Sequence, residues 1–299
     1  MVRSSWLSSA SKRQQTAMPT AILNDCEFYY EVRGIGPSIV FIHGESHGIE
    51  MFEHQLSHFS RFRCIAYYRR GHGRSQAPPY GYSLWNQTQD LLCLLDHLNV
   101  ERTVIVAVAM STAVAATCAI HRPDRVRALV LASWYELDGF PLLEQRRKKH
   151  RVSFAQLHLM MGRILKDEGR EALFNFLTSR YEEFFPIFPA DAAVRTKVAR
   201  MFSSHPCEHY VQSAEFYTSI PNITRQMAQI DCPILGICGD EDPSPDKPEA
   251  LAHLPRFRQA WIKGARRFTM MEQPEAFNRE VGAFLDELED QGGPRSCGS

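Results

Sequence analysis

Several things are scarce or missing in this sequence, and each absence narrows the reading. No uninterrupted apolar run approaches the roughly 20 residues that a bilayer-spanning helix requires, so no membrane association is expected. Charge of neither sign is in excess: 34 Lys and Arg balance 34 Asp and Glu. That balance argues against a nucleic-acid partner, which calls for a basic surplus. Eight cysteines are present, but no CxxC pair. Most sit inside apolar segments, where a thiol behaves as a small hydrophobe, and this placement fits a reduced, cytoplasmic protein. No glycine-rich phosphate loop occurs, and no cofactor is expected. The N-terminus lacks the apolar core of a secretory signal. It also lacks any acid before Asp25: "MVRSSWLSSASKRQQTA" is Ser-rich and carries Arg3, Lys12 and Arg13. Mitochondrial transit peptides share that composition; the simpler reading is a disordered tail.

What is present is an alternation of buried strands and helices. "SIVFIHG" (38–44), "FRCIAYY" (62–68), "TVIVAVA" (103–109), "RALVLAS" (127–133) and "PILGICG" (233–239) are continuous apolar runs, the mark of strands covered on both faces. "FYYEVRG" (28–34) alternates like a first antiparallel strand, and "RQAWIKG" (258–264) reads as a last one. Helices fall between them. The clearest is "YSLWNQTQDLLCLLDHLNV" (82–100), with Ser83 as its cap and a leucine stripe. Another begins after Pro274, the position proline prefers. From about Gly139 to Ile230 strand signal is missing and the segments read as helices.

The expected fold class is therefore α/β: a mostly parallel, doubly wound sheet with an inserted helical cap. We expect a disordered tail over 1–24, a core formed by 25–138 and 231–290, a cap over 139–230 and a loose tail over 291–299.

The order of motifs resembles the α/β-hydrolase superfamily over about residues 25–288. "FIHGESHG" is similar to its oxyanion loop. "YYRRGHGRS" is similar to its D-x-R-G-x-G-x-S turn, with Tyr68 in the aspartate position. "GDEDPSP" and "KGARRFTMMEQPEAF" are similar to the late loops that supply the acid and the histidine. Carried onto this chain, the resemblance implies a degenerate triad. The G-x-S-x-G turn reads Ala107-Val108-Ala109-Met110-Ser111, so the nucleophile position holds Ala109. The histidine position holds Arg267, which stays protonated and cannot act as a base. Only the acid, Asp242, is kept. A two-residue slip would make Ser111 the nucleophile; the plainer reading is a helix N-terminal serine bonded locally.

Other groups near the same strand ends are candidates for chemistry. Glu45 is either a general base or a side chain turned to solvent. His47 is either an acid–base group or a loop histidine. Glu136, with Trp134 and Tyr135, follows the strand before the cap, where open α/β sheets bind ligands. Met110, Ser111 and Tyr68 join Ala109 as substrate-binding candidates. Arg267 beside Asp242 would fix a cation in the pocket. "HPCEH" places His205 and His209 four apart, but Pro206 and the lack of a nearby third ligand argue against a metal.

Three readings of function follow. The first is a cofactor-independent, non-hydrolytic enzyme (cyclase, isomerase or carbon–carbon lyase) acting on a hydrophobic small molecule, such as those of secondary metabolism. The second is a non-catalytic pseudohydrolase that binds. The third is a hydrolase with reassigned residues, using Ser111 or a water activated by Glu45 or Glu136.

Overall fold

The computed structural model describes residues 19–133, 153–243, 251 and 254–292. Eight strands form one sheet: β1 (Thr20–Leu23), β2 (Cys26–Arg33), β3 (Ser38–Ile42), β4 (Arg63–Tyr67), β5 (Thr103–Val108), β6 (Val126–Ala132), β7 (Ile234–Gly239) and β8 (Phe257–Ile262). They lie in the order β1-β2-β4-β3-β5-β6-β7-β8. The first two pairings, β1–β2 and β2–β4, are antiparallel and the rest are parallel.

The parallel strands are apolar on both sides because both sides are covered. Phe41, Val106 and Val130 enter one apolar layer; Val40, Ile105 and Leu129 enter the other. The two-residue period of a strand makes that division. Helix α1 (Glu53–His58) follows β3, α2 (Leu84–His97) follows β4, and α3 (Ser111–His121) follows β5. Ser83 caps α2 by accepting from the Asn86 backbone N–H at 3.2 Å, as the sequence predicts.

Helices α4 (Phe154–Glu168), α5 (Arg170–Ser179), α6 (Ala192–Ser203) and α7 (Cys207–Ser219) form the described part of the cap. Ser153 and Gln156 close a reciprocal capping box at the start of α4. The cap meets the loops at the carboxyl ends of the parallel strands: Ser213 bonds Glu45 after β3, His205 accepts from Gly73 after β4, and Phe188 packs on Phe268 after β8. The last helix, α8 (Pro274–Gly292), returns along the sheet.

One expectation needs correcting. The tail was expected to run through residue 24, but the chain is already a strand at Thr20–Leu23, paired with Cys26–Tyr29. Asn24 and Asp25 both adopt positive φ, at 46° and 58°, and turn the chain into a hairpin. Asn and Asp tolerate that conformation, and the pair is the signal that betrays the strand.

The crossing of β7 with the loop after β8 fixes where the site lies. A Cβ on Gly239 would stand 2.0 Å from the Ala265 carbonyl oxygen and 2.1 Å from that of Arg266. Only a residue without a side chain lets those backbones touch, and the Glu241 N–H donates to Ala265 O at 3.0 Å just beyond. Gly239→Ala is therefore expected to lower stability by about 1–3 kcal/mol, the usual cost of overpacking. A urea or guanidinium denaturation midpoint equal to the parent's would refute this.

Candidate active site

The turn between β5 and α3 keeps the shape of a nucleophile elbow. Ala109 has φ of 51°, a left-handed conformation that costs an L-residue about 1–2 kcal/mol. Its N–H donates to Ala132 O at 2.9 Å, and its carbonyl accepts from the Thr112 N–H and hydroxyl. Ser46 and Ser133, in the loops after β3 and β6, are also left-handed, at 58° and 51°. Strain of this kind gathers at functional sites, and here three neighbouring strands end in it.

The side chain at the elbow is a methyl group. Ser111 presents no hydroxyl to the space above the turn. It is fully buried, and its Oγ donates among the backbone carbonyls of His43, at 2.5 Å, of Val108 and of Ile42. A hydroxyl so engaged faces no substrate. Met110 is equally buried and belongs to the apolar layer on the opposite side of the sheet from Ala109. Neither fits the expected substrate-binding role.

Arg267 and Asp242 meet as expected. The Arg267 Nε lies 3.4 Å from Asp242 Oδ2, and both side chains are buried. The loop carrying Arg267 is held by Glu272, whose carboxylate accepts from the N–H groups of Arg266 and Phe268, and by Ser133, which donates to Arg267 O.

His47 lies between this loop and the elbow. A Cβ on Gly44 would stand 2.7 Å from His47 Nδ1 and 3.1 Å from Ala109 Cβ, so the imidazole and the methyl border the same small space. The His47 ring rests between Phe202 of the cap, at 5.3 Å, and Phe268, at 5.0 Å. Its Nδ1 is buried without a hydrogen-bond partner. Burial first, then the charge of Arg267, pushes its pKa well below the ordinary histidine value, so the ring is neutral.

Glu45 is neither turned to solvent nor unengaged. Its Oε2 takes both Arg69 Nη atoms at 3.1 Å, and its Oε1 accepts from the Ser213 hydroxyl at 2.5 Å and lies 3.3 Å from His72 Nε2. Burial works to raise its carboxyl pKa, and Arg69, His72 and His209 outweigh burial and hold it well below the carboxylate range. A carboxylate so paired is a poor general base.

Around Glu45 stands a group of histidines that the sequence did not assemble. His72, His158, His205 and His209 are all buried. Ser46 Oγ lies 3.2 Å from His158 Nε2 and 2.9 Å from His209 Nε2. The His209 ring packs 4.3 Å from both His72 and His205. Burial, followed by the neighbouring imidazoles, pushes His209 well below its ordinary pKa and His205 down to about 3. One ligand atom each from Glu45, His72 and His209 lies within 4.8 Å of the others. Of the two histidines in "HPCEH", only His209 belongs to this set; its two partners come from the loops after β3 and β4, and the His205 ring packs beside it.

His43 is held between backbone groups: its Nδ1 donates to Gly44 O and its Nε2 accepts from the Arg69 N–H. Tyr68 does not join the elbow. Its phenol bonds Glu50, in a separate cleft with Glu31 and Arg74. The ring packs where a Cβ on Gly73 would fall, 2.3 Å away, so the turn directs it outward from the site. Trp134, Tyr135 and Glu136 lie outside the described residues.

Residues 37–268 match the profile of the alpha/beta hydrolase fold family. The chain belongs to that family. As an α/β-hydrolase it is 23% identical, over 254 residues covering 83% of this chain and 88% of the relative, to 3-oxoadipate enol-lactonase 2 of Acinetobacter baylyi. It is 28% identical, over 73% of this chain and 79% of the relative, to a Bacillus subtilis protein named as a 2-succinyl-6-hydroxy-2,4-cyclohexadiene-1-carboxylate synthase. The enol-lactonase structure from Burkholderia xenovorans superposes with a TM-score of 0.70 at 23% identity, over 90% of this chain and all of that one. These α/β-hydrolase relatives are enzymes, and hydrolases and a synthase both occur among them. Among the described residues of this member, no helix is long and apolar enough to cross a membrane.

Glu272 supplies a pH test of the Arg267 loop. Burial raises its pKa from 4.5 to about 7. The folded state therefore holds this proton more tightly than the unfolded state, and stability falls as pH rises from about 4.5 to 7. From pH 5 to pH 8 the loss is about 1–3 kcal/mol. In Glu272→Gln this component disappears, so the stability difference between variant and parent should shift in the variant's favour with rising pH. A pH-independent difference would mean that Glu272 ionises normally.

Proposed function

We propose that this α/β-hydrolase is an enzyme that works without a covalent nucleophile, as a lyase, isomerase or cyclase on a hydrophobic small molecule. The observation that carries the reading is the set of groups at the elbow: a methyl group at Ala109, a neutral His47 whose buried Nδ1 has no partner, and a permanent cation at Arg267. A neutral imidazole can take a proton from carbon or oxygen and return it elsewhere on the same substrate. A fixed guanidinium in a desolvated cleft stabilises an enolate or holds a carboxylate. The aromatic rings of Phe202 and Phe268 supply the apolar wall. The synthase among the relatives supports hosting non-hydrolytic chemistry on this fold.

The chain should be blind to fluorophosphonates. Loss of the serine nucleophile costs a serine hydrolase on the order of a millionfold in turnover, and the Ser111 hydroxyl is consumed by carbonyls. Stoichiometric labelling of native protein at Ser111 would overturn the assignment of the elbow.

A second reading rests on the packing of His47 between two phenylalanines, which fits a filled pocket in a binding protein. Metabolite profiles separate the two. Cells lacking the protein, and cells carrying His47→Asn or Arg267→Gln at parental protein levels, should accumulate the same precursor. If both variants restore the parental profile, the elbow performs no chemistry and the enzyme reading fails. We also expect Ala109→Ser with Arg267→His to gain little esterase activity, because Ala107 and Ser111 replace the two outer glycines of the elbow. Robust ester turnover by that double variant would point back to a hydrolase pocket.

A further inference from the structure

We propose that Glu45, His72 and His209 form a binding site for one divalent metal ion of the zinc class, joining the cap to the core. Two ligands come from core loops, after β3 and β4, and the third from cap helix α7. All three are buried. Imidazole and carboxylate oxygen are the donors that zinc-class ions take.

One pair in the group stands at the spacing of a coordination sphere, and the three ligand atoms lie within 4.8 Å of one another. His72 Nδ1 lies 2.9 Å from the Arg70 carbonyl, a contact that requires the N–H on Nδ1. In the neutral ring Nε2 is then a lone pair. It accepts from the Ser46 N–H at 3.3 Å and stands at the same 3.3 Å from the Glu45 Oε1 carboxylate oxygen. Two electron-rich atoms at that separation are what a shared cation sets: bonds of 2.0–2.1 Å in a tetrahedral site leave ligand atoms about 3.3–3.4 Å apart. A backbone carbonyl on the distal nitrogen is also the usual way a metal-binding histidine is oriented.

A second, independent observation points to an occupant. His205 is buried, and its Nδ1 accepts from the Gly73 N–H at 3.1 Å. Its Nε2 therefore carries the proton, and the nearby Ser46 backbone lies outside good hydrogen-bond geometry for it. The ring packs 4.3 Å from His209 and 5.2 Å from His72. A water on the metal would give this donor an acceptor, leaving three protein ligands and one exchangeable position. Ser46 Oγ bonds His209 Nε2 at 2.9 Å, so that His209 would ligate through Nδ1, and Ser213 Oγ donates to Glu45 Oε1. Arg69, on the other oxygen of Glu45, keeps the carboxylate ionised and repels the incoming cation, so tight binding of the kind seen in closed structural zinc sites is not expected.

The test uses the full chain, free of any affinity tag and stripped with a chelator. Titration with Co²⁺, followed by visible absorption, should give one ion per chain with the intense bands of low coordination number, and Zn²⁺ should displace it. His72→Gln and His209→Gln should each raise the dissociation constant by about 100-fold or more, the upper range for loss of a mere supporting partner. His54→Gln with His58→Gln, outside the cluster, should leave it unchanged. Because a buried variant can fail to fold, X-ray absorption of the parent loaded with one Zn²⁺ gives a second readout. Scattering from two imidazoles and no sulfur supports the site. No stoichiometric binding, sulfur in the coordination sphere, or loss of binding in the His54 and His58 variant would overturn it.

Discussion

The contact on which the rest of the molecule's working end depends is the buried ion pair between Glu45 and Arg69. Both side chains are almost wholly out of water. Such a pair survives only if the remaining lone pairs and protons are also met, because desolvating two charges costs several kcal/mol each. Four parts of the fold meet that demand. The loop after β3 brings Glu45, and the loop after β4 brings Arg69 and His72. Helix α2 brings Gln87, whose oxygen accepts from Arg69 Nε at 2.9 Å, and cap helix α7 brings Ser213. Breaking a buried pair strands one charge, at a cost of about 3–5 kcal/mol. Cap and core are thereby joined by a polar contact that neither part can satisfy alone.

The elbow illustrates a different constraint. Its shape belongs to the backbone, whatever side chain the turn carries. Ala109 still adopts the left-handed conformation because β5 must end, turn and feed α3 within a few residues, and the bonds to Ala132 and Thr112 hold the turn there. Ser46 and Ser133 carry similar strain in adjacent loops. Superposition on enol-lactonase therefore reports the scaffold and is silent on the chemistry, which lives in a handful of side chains.

What could be read in the sequence follows from how local each signal is. The parallel strands were legible because burial on both faces forces continuous apolar runs, as in Thr103–Val108, where every residue is buried. The Ser83 cap and the tight turn at Ala109 were legible because each is a matter of a few neighbouring residues. Strand β1 was not, because four residues with alternating exposure resemble a tail unless the Asn24-Asp25 turn is weighed. The histidine cluster was the least legible. His205 and His209 show helical spacing, but their partners at positions 45, 46 and 72 meet them only through the docking of the cap. Tyr68 failed for a related reason: its place just past the end of β4 was clear, but its ring turns to the room left by Gly73 and Gly48 and to Glu50.

Electrostatics at the strand ends now divide into two kinds of group. Arg69 and Arg267 are permanent cations, each set against a carboxylate, Glu45 and Asp242. These pairs fix charge in place. The groups suited to exchanging protons are imidazoles, and burial holds His47, His205 and His209 neutral. In a serine hydrolase the acid stands behind the histidine and stabilises its protonated form. Here the acid stands behind an arginine, which has no proton to relay. On the proposed reading a proton taken at the elbow goes to His47, on which Arg267 is the leading charge. A base in that position is weak, and it would return its proton quickly. That suits transient deprotonation of a bound substrate and does not suit the lasting imidazolium that acyl transfer requires.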